Sequence, residues 1–301
     1  MNIGLIFPGQ GSQYVGMGKS LYDENHAASL IFELARKILG ESFLNTLFCG
    51  PEEDLTATNC CQSALFVHSY AAVEAMRSLY PEKRAEVAFG LSLGELSALC
   101  IAEVFDFETG LKIAHARGSL MQKACENTRG TMVSLIGGMF DDILEICDKT
   151  GVEIANMNCP GQIVISGEYD SMQSAIEIAK KMSFKRIFPL KVAGAYHSRL
   201  MAEASASFEK FLRDIEFNDP KMKVISNVTA DFVKTGEDAK RLLVKQIVSP
   251  VLFDKCCERA IRSGVRNFFE CGAGKVLSGL MKRINSDANV VSLDNIADFN
   301  L

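Results

Sequence analysis

"AEVAFGLSLGELSALCIAEVF", residues 85–105, opens with a short apolar run and closes with an apolar run at helical spacing. Between them stands the tight turn Gly90-Leu91-Ser92-Leu93-Gly94. A strand that turns sharply into a helix is the repeating unit of a parallel α/β sheet. The flanking segments extend that pattern. Upstream, "NIGLIF" (2–7) reads as a buried strand ending in the loop "PGQGSQ", followed by the helical stretches "AASLIFELARKIL" (27–39) and "QSALFVHSYAAVEAMRSLY" (62–80), the second closed by Pro81. Downstream, a long helix is predicted from Phe107 to Asn127.

From Arg129 the rhythm changes. "TMVSLIG", "FDDILEICDKT", "VEIANM", "QIVISG", "YDSMQSAIEIAKKM" and "KRIFPLKV" alternate as β-α-β-β-α-β, the split βαβ order of a ferredoxin-like unit. The α/β pattern then resumes with "MAEASASFEKFLRDI", the strand "MKVISN", the strand "RNFFE" and the helix "VLSGLMKRI". The expected organisation is an α/β catalytic body made of residues 1–128 and 193–301, carrying a small inserted subdomain at 129–192. A chain of 301 residues accommodates both.

A net charge of −5 argues against nucleic acid or an anionic membrane as the main partner. The first residues, "MNIGLIFPGQ", lack the basic segment of a signal peptide, and no apolar run reaches the roughly 20 residues that span a bilayer. The cytoplasm is the expected location. Ten cysteines occur as two adjacent pairs and scattered singles without a CxxC, so neither a disulfide framework nor a metal site is expected.

Ser92 sits at the apex of G-x-S-x-G, whose glycines permit a tight elbow that thrusts the serine out. It reads as a nucleophile, with a helix N-cap as the alternative. The amide of Leu93, at the start of the following helix, would face a developing oxyanion. A serine needs a base, and the chain has four histidines. His26 falls in a polar segment, and His68 and His115 lie within helices. His197, in "VAGAYHSRLM", follows a strand and precedes a helix, where an α/β site draws its side chains, and is the preferred base. The loop "PGQGSQYVGMGKS" does not complete a P-loop, because Gln13 stands where its first glycine belongs, nor G-x-G-x-x-G, because of Tyr14. It can instead present a backbone amide. Arg117, in "HARGSLMQ", reads on its own as a solvated helix arginine.

Taken together, "FPGQGSQYVGMG", "GLSLGELSAL", "ARGSLMQ", "NCPGQIVISG", "AGAYHSRLM", "QIVSPVLF" and "ECGAGKVLSGL" resemble, in order and spacing, the malonyl-CoA:acyl-carrier-protein transacylases of fatty-acid synthesis. The resemblance runs along nearly the whole chain. It implies an α/β-hydrolase-like body with a parallel sheet and a ferredoxin-like insert, Ser92 as the acylated nucleophile and His197 as its base. It further implies that a main-chain carbonyl at Gln246 orients the histidine, and that the amides of Gln10 and Leu93 form the oxyanion hole. By the same resemblance Arg117 grips the malonyl carboxylate, and Gln246, Met121 and Asn158 contribute to substrate binding. The implied partners are malonyl-CoA and acyl carrier protein. Coenzyme A and phosphopantetheine enter as substrate carriers, with no metal and no further cofactor, and the implied state is a monomer. Lys181, Lys185, Arg186, Lys275, Lys282 and Arg283 are candidates for a basic patch facing an acidic carrier. The chain departs from the pattern at Leu91, where the family usually has histidine, and at Tyr196, where many relatives have phenylalanine. A thioesterase passing the acyl group to water, or a homologue that only binds the carrier, are the alternatives.

Overall fold

The computed structural model describes residues 2–300. Its central sheet is parallel throughout, with strands β1 (Ile3–Phe7), β2 (Ala85–Gly90), β7 (Lys223–Val224), β8 (Asn267–Cys271) and β9 (Asn289–Leu293) in the order β7-β2-β1-β8-β9. Along β1, Leu5 and Phe7 enter one apolar cluster while Ile6 enters another; along β2, Ala88 joins the first and Val87 and Phe89 the second. Both faces of the sheet are therefore covered, which is why these strands read as continuous apolar runs.

A second, antiparallel sheet is built from β3 (Gly130–Gly137), β4 (Glu153–Cys159), β5 (Gln162–Glu168) and β6 (Phe184–Pro189), in the order β4-β5-β3-β6. That is the ferredoxin-like arrangement: β3 and β4 are joined by the helix Phe140–Thr150, and β5 lies between them. Its own apolar cluster, with Val133, Leu135, Ile146 and Ile165, fills the space under its two helices. The fold class is that expected: an α/β body with a parallel sheet, and a ferredoxin-like sheet.

Several elements differ from the sequence expectation. "MKVISN" shortens to the two-residue β7, because Asn227 turns its main chain away from the sheet toward Glu95. The strand β9 pairs beside β8 although its sequence, "NVVSL", is short and half-exposed. The "KRIFPLKV" strand ends at Pro189, and its last backbone bond to β3 is Leu190 N–H donating to the Met132 oxygen at 3.0 Å. The helices Thr58–Leu79 and Phe107–Asn127 pack side by side, the first also against β8, and the second has the predicted bounds.

Candidate active site

The elbow is made possible by close backbone approaches. A Cβ on Gly90 would stand 2.3 Å from the Gly94 carbonyl carbon, and one on Gly94 only 2.1 Å from the Phe7 oxygen. Ser92 itself takes φ 53°, ψ −101°, a region that costs an L-residue about 1–3 kcal/mol. Its side chain makes no cap hydrogen bond to the helix Leu93–Ile101. The cap alternative is thereby set aside, since Ser92 Oγ lies 2.8 Å from His197 Nε2.

His197 is almost fully buried, and its Nδ1 lies 2.8 Å from the Gln246 main-chain oxygen. A carbonyl can only accept, so Nδ1 carries the proton and Nε2 presents its lone pair to the Ser92 hydroxyl. Burial, helped by the Arg117 charge, holds His197 down at about 4, so the ring is neutral at pH 7 and able to take a proton. Of the other histidines, His68 is buried against the Asp294 main chain and His115 contacts Ser63, while His26 is exposed at a helix start.

Arg117 is not a solvated helix arginine: it is 1% exposed. Its Nη1 donates to Gln62 Oε1 at 2.7 Å, and Nη2 donates to Gln246 Oε1 at 2.8 Å and to Ser92 Oγ at 3.1 Å. Nε is buried without a partner. Burial lowers its pKa to about 10, against the pull of Glu95, which leaves a full cation at neutral pH. A desolvated guanidinium with an unpaired N–H, beside a serine hydroxyl, can receive a carboxylate.

Gln10, Leu93, Met121, Asn158, Tyr196 and Leu91 line the same pocket as Ser92, His197 and Arg117, a cavity of about 140 Å³. The backbone N–H groups of Gln10 and Leu93 have no hydrogen-bond partner among the described residues, so both are available to an oxyanion. Asn158 Oδ1 is likewise buried and unpartnered. Tyr196 has its hydroxyl 2.6 Å from Thr58 Oγ1 and 3.4 Å from Gln10 Nε2. Leu91 rests against the apolar cluster around Phe89 and Phe253. Gln246 stands behind the pocket, holding Arg117 with its side chain and His197 with its backbone.

Sequence reading missed Gln62, Glu95 and Asn227, each fully buried and hydrogen-bonded into the site. Glu95 had a visible signal, as the one charged residue in an otherwise apolar buried helix. The basic candidates do not converge. Lys185 and Arg186 lie on β6 with Lys181 just before it, whereas Lys275, Lys282 and Arg283 belong to the helix Val276–Ile284 and its cap, which packs on β4 at the opposite sheet edge. Arg283 is moreover held by Gln162 Oε1 and the Pro160 oxygen.

A neutral imidazole on a serine hydroxyl, two free amides and a buried cation are equipped for acyl transfer through a serine ester. The acyl transferase domain family matches residues 5–292, so the chain belongs to that family and is an acyltransferase. It is 40% identical to a malonyl CoA-acyl carrier protein transacylase of Staphylococcus aureus, over 98% of this chain and 96% of that protein. A crystal structure of an acyl-carrier-protein S-malonyltransferase from Bartonella henselae superposes with a TM-score of 0.95 at 36% identity, covering 99% and 97% of the two chains. A malonyl-transacylase solved in complex with a type II PKS acyl-carrier protein also superposes at 0.95, with 33% identity over 99% of this chain and 97% of that one. Among the described residues, no helix is long and apolar enough to cross a membrane, and no cluster of three or more His, Cys, Asp or Glu side chains could hold a metal ion.

Proposed function

We propose that this chain transfers a malonyl group from coenzyme A to the phosphopantetheine thiol of acyl carrier protein, supplying fatty-acid synthesis. The observation that carries the reading is Arg117: a buried cation 3.1 Å from Ser92 Oγ, with an unpartnered Nε, in a pocket otherwise lined by neutral side chains. A malonyl group satisfies it with the free carboxylate, while an acetyl group leaves it unpaired. The pocket volume of about 140 Å³ is close to that of a cavity that takes benzene, which suits a short acyl group and not a fatty chain.

The cycle has two halves. His197 Nε2 takes the Ser92 proton as Oγ attacks the thioester carbonyl, whose oxygen turns to the Gln10 and Leu93 amides. The C–S bond then breaks, coenzyme A leaves with the proton from His197, and malonyl-Ser92 remains. In the second half the carrier thiol gives its proton to His197 and attacks the ester, and Ser92 departs as the hydroxyl. No metal or redox cofactor enters this chemistry. We place the chain in the cytoplasm as a monomer; its ten free cysteines fit a reducing compartment.

The test is incubation with radiolabelled malonyl-CoA followed by holo carrier protein. Label passing first to Ser92 and then to the carrier is the expected result, and Ser92→Ala abolishes it. Free malonate as the dominant product would replace the transferase reading with a thioesterase, and no acyl-enzyme would leave a carrier-binding homologue.

A further inference from the structure

We infer that Asn227, anchored by Glu95, is a positioning residue that holds the strained Ser92 elbow in its reactive geometry; the inference rests on the acyl-transfer reading of Ser92. The conformation of Ser92 persists only if its surroundings determine it. Asn227 supplies that determination from 135 residues away in sequence. Its Oδ1 accepts the Ser92 N–H at 2.8 Å, and its Nδ2 donates to the Gly90 oxygen at 2.8 Å. One carboxamide thus brackets Leu91 and ties the two sides of the turn.

The arrangement continues a ladder by other means. Ile225 N–H donates to the Ala88 oxygen at 3.1 Å, the last backbone bond between this segment and β2. Two residues further along, the Asn227 side chain takes the Gly90 oxygen in place of a backbone N–H. The Asn227 backbone N–H is free to turn away, and it donates to Glu95 Oε2 at 2.9 Å. The same Oε2 accepts from Gln246 Nε2 at 2.6 Å, and that Nε2 also reaches the Ser92 oxygen at 3.0 Å. The peptide groups on both sides of Ser92 are therefore held by side chains, Asn227 on the N–H and Gln246 on the oxygen. Both converge on one oxygen of Glu95.

Glu95 Oε1 has no hydrogen-bond partner. The bonds from Asn227 and Gln246 both end on Oε2, so glutamine keeps that acceptor while removing the charge that faces Arg117. Neither residue lines the pocket; both act through Ser92 and Gln246.

The experiment measures, in the full-length chain, single-turnover acylation of Ser92 by malonyl-CoA and inactivation by a fluorophosphonate, which reads Ser92 without a malonyl group. Asn227→Ala is expected to slow both by about 100-fold, the scale of an ångström-sized misplacement, with the half-saturating malonyl-CoA concentration little changed. Asn227→Leu, which fills the space without the hydrogen bonds, is expected to be as slow. Glu95→Ala is expected to lose a similar factor and Glu95→Gln to recover most of it; this pair carries the test if the Asn227 variants do not fold. Asn227→Leu reacting at the wild-type rate, or Glu95→Gln as slow as Glu95→Ala, overturns the inference. A wild-type protein that reacts with the phosphonate but not with malonyl-CoA overturns the substrate reading instead, and the phosphonate rates still decide the role of Asn227.

Discussion

The main-chain oxygen of Gln246 accepts the Nδ1–H of His197 across 2.8 Å, in the place where the serine hydrolase triad keeps a carboxylate. A neutral acceptor fixes the tautomer and the ring orientation without adding a negative charge. Truncating the side chain cannot remove this oxygen. Gln246→Ala is expected to cost about tenfold in acylation, from the lost bonds to Arg117 and to the Ser92 oxygen. His197→Ala removes the base and is expected to abolish acylation, so single-turnover rates of the two variants should separate widely.

Burial, reinforced by the Arg117 charge, holds His197 down at about 4 from its usual 6.5. The acid limb of the pH profile for acylation of the free enzyme should accordingly lie well below pH 6. The stability consequence follows from the same shift. Between 6.5 and about 4 the unfolded chain binds a proton that the folded chain refuses, so this contribution is complete above 6.5 and is lost as pH falls toward 4. A shift of this size is worth roughly 3 kcal/mol. Denaturant titrations at pH 7 and pH 4.5 check it: His197→Phe should lose less stability on acidification than the wild type.

In the proposed reaction Arg117 discriminates between acyl groups. Arg117→Ala is expected to lower the malonyl-to-acetyl ratio of kcat/KM by about 100-fold or more, since the carboxylate would then be buried without its partner. Competing labelled malonyl-CoA and acetyl-CoA for the same enzyme reads the ratio directly. A ratio unchanged from wild type would remove the carboxylate-clamp role from Arg117.

Gly9 couples the two amides offered to the oxyanion. A Cβ there would stand 2.4 Å from the Leu91 carbonyl oxygen, so either the Gln10 loop or the elbow must shift. Gly9→Ala is expected to lower kcat by about 100-fold, the effect of losing one oxyanion donor, with a much smaller change in KM. Steady-state kinetics with malonyl-CoA and holo carrier protein check both parameters.

Local elements of this fold were legible because their signals are local. The elbow announces itself by glycines at fixed spacing, and the helix Phe107–Asn127 by its apolar period and the Asp106 cap, which accepts from Thr109 N–H at 2.8 Å. Contacts across the sheet were not legible. Asn227 looks like the end of a strand, and nothing in "VISNVTA" says that its carboxamide replaces a ladder bond 137 residues away. Arg117 shows the same limit. Its helix alone suggests a solvated residue, and only the packing of Thr58–Leu79 against Phe107–Asn127 buries it against Gln62. Family resemblance, and not spacing, carried the arginine in the sequence reading.

The small sheet does not merely lean on the body. Its edge strand β4 is stitched to the segment just past Gln246: Met157 N–H donates to the Val251 oxygen at 2.9 Å, and Val251 N–H to the Ala155 oxygen at 2.8 Å. Those two bonds lie five residues from the carbonyl that orients His197, and Asn158 of the same strand lines the pocket. Anyone grafting a related small sheet onto this body to change its acyl preference is therefore also editing the base. A successful chimaera would need to import residues 246–252 along with the strands.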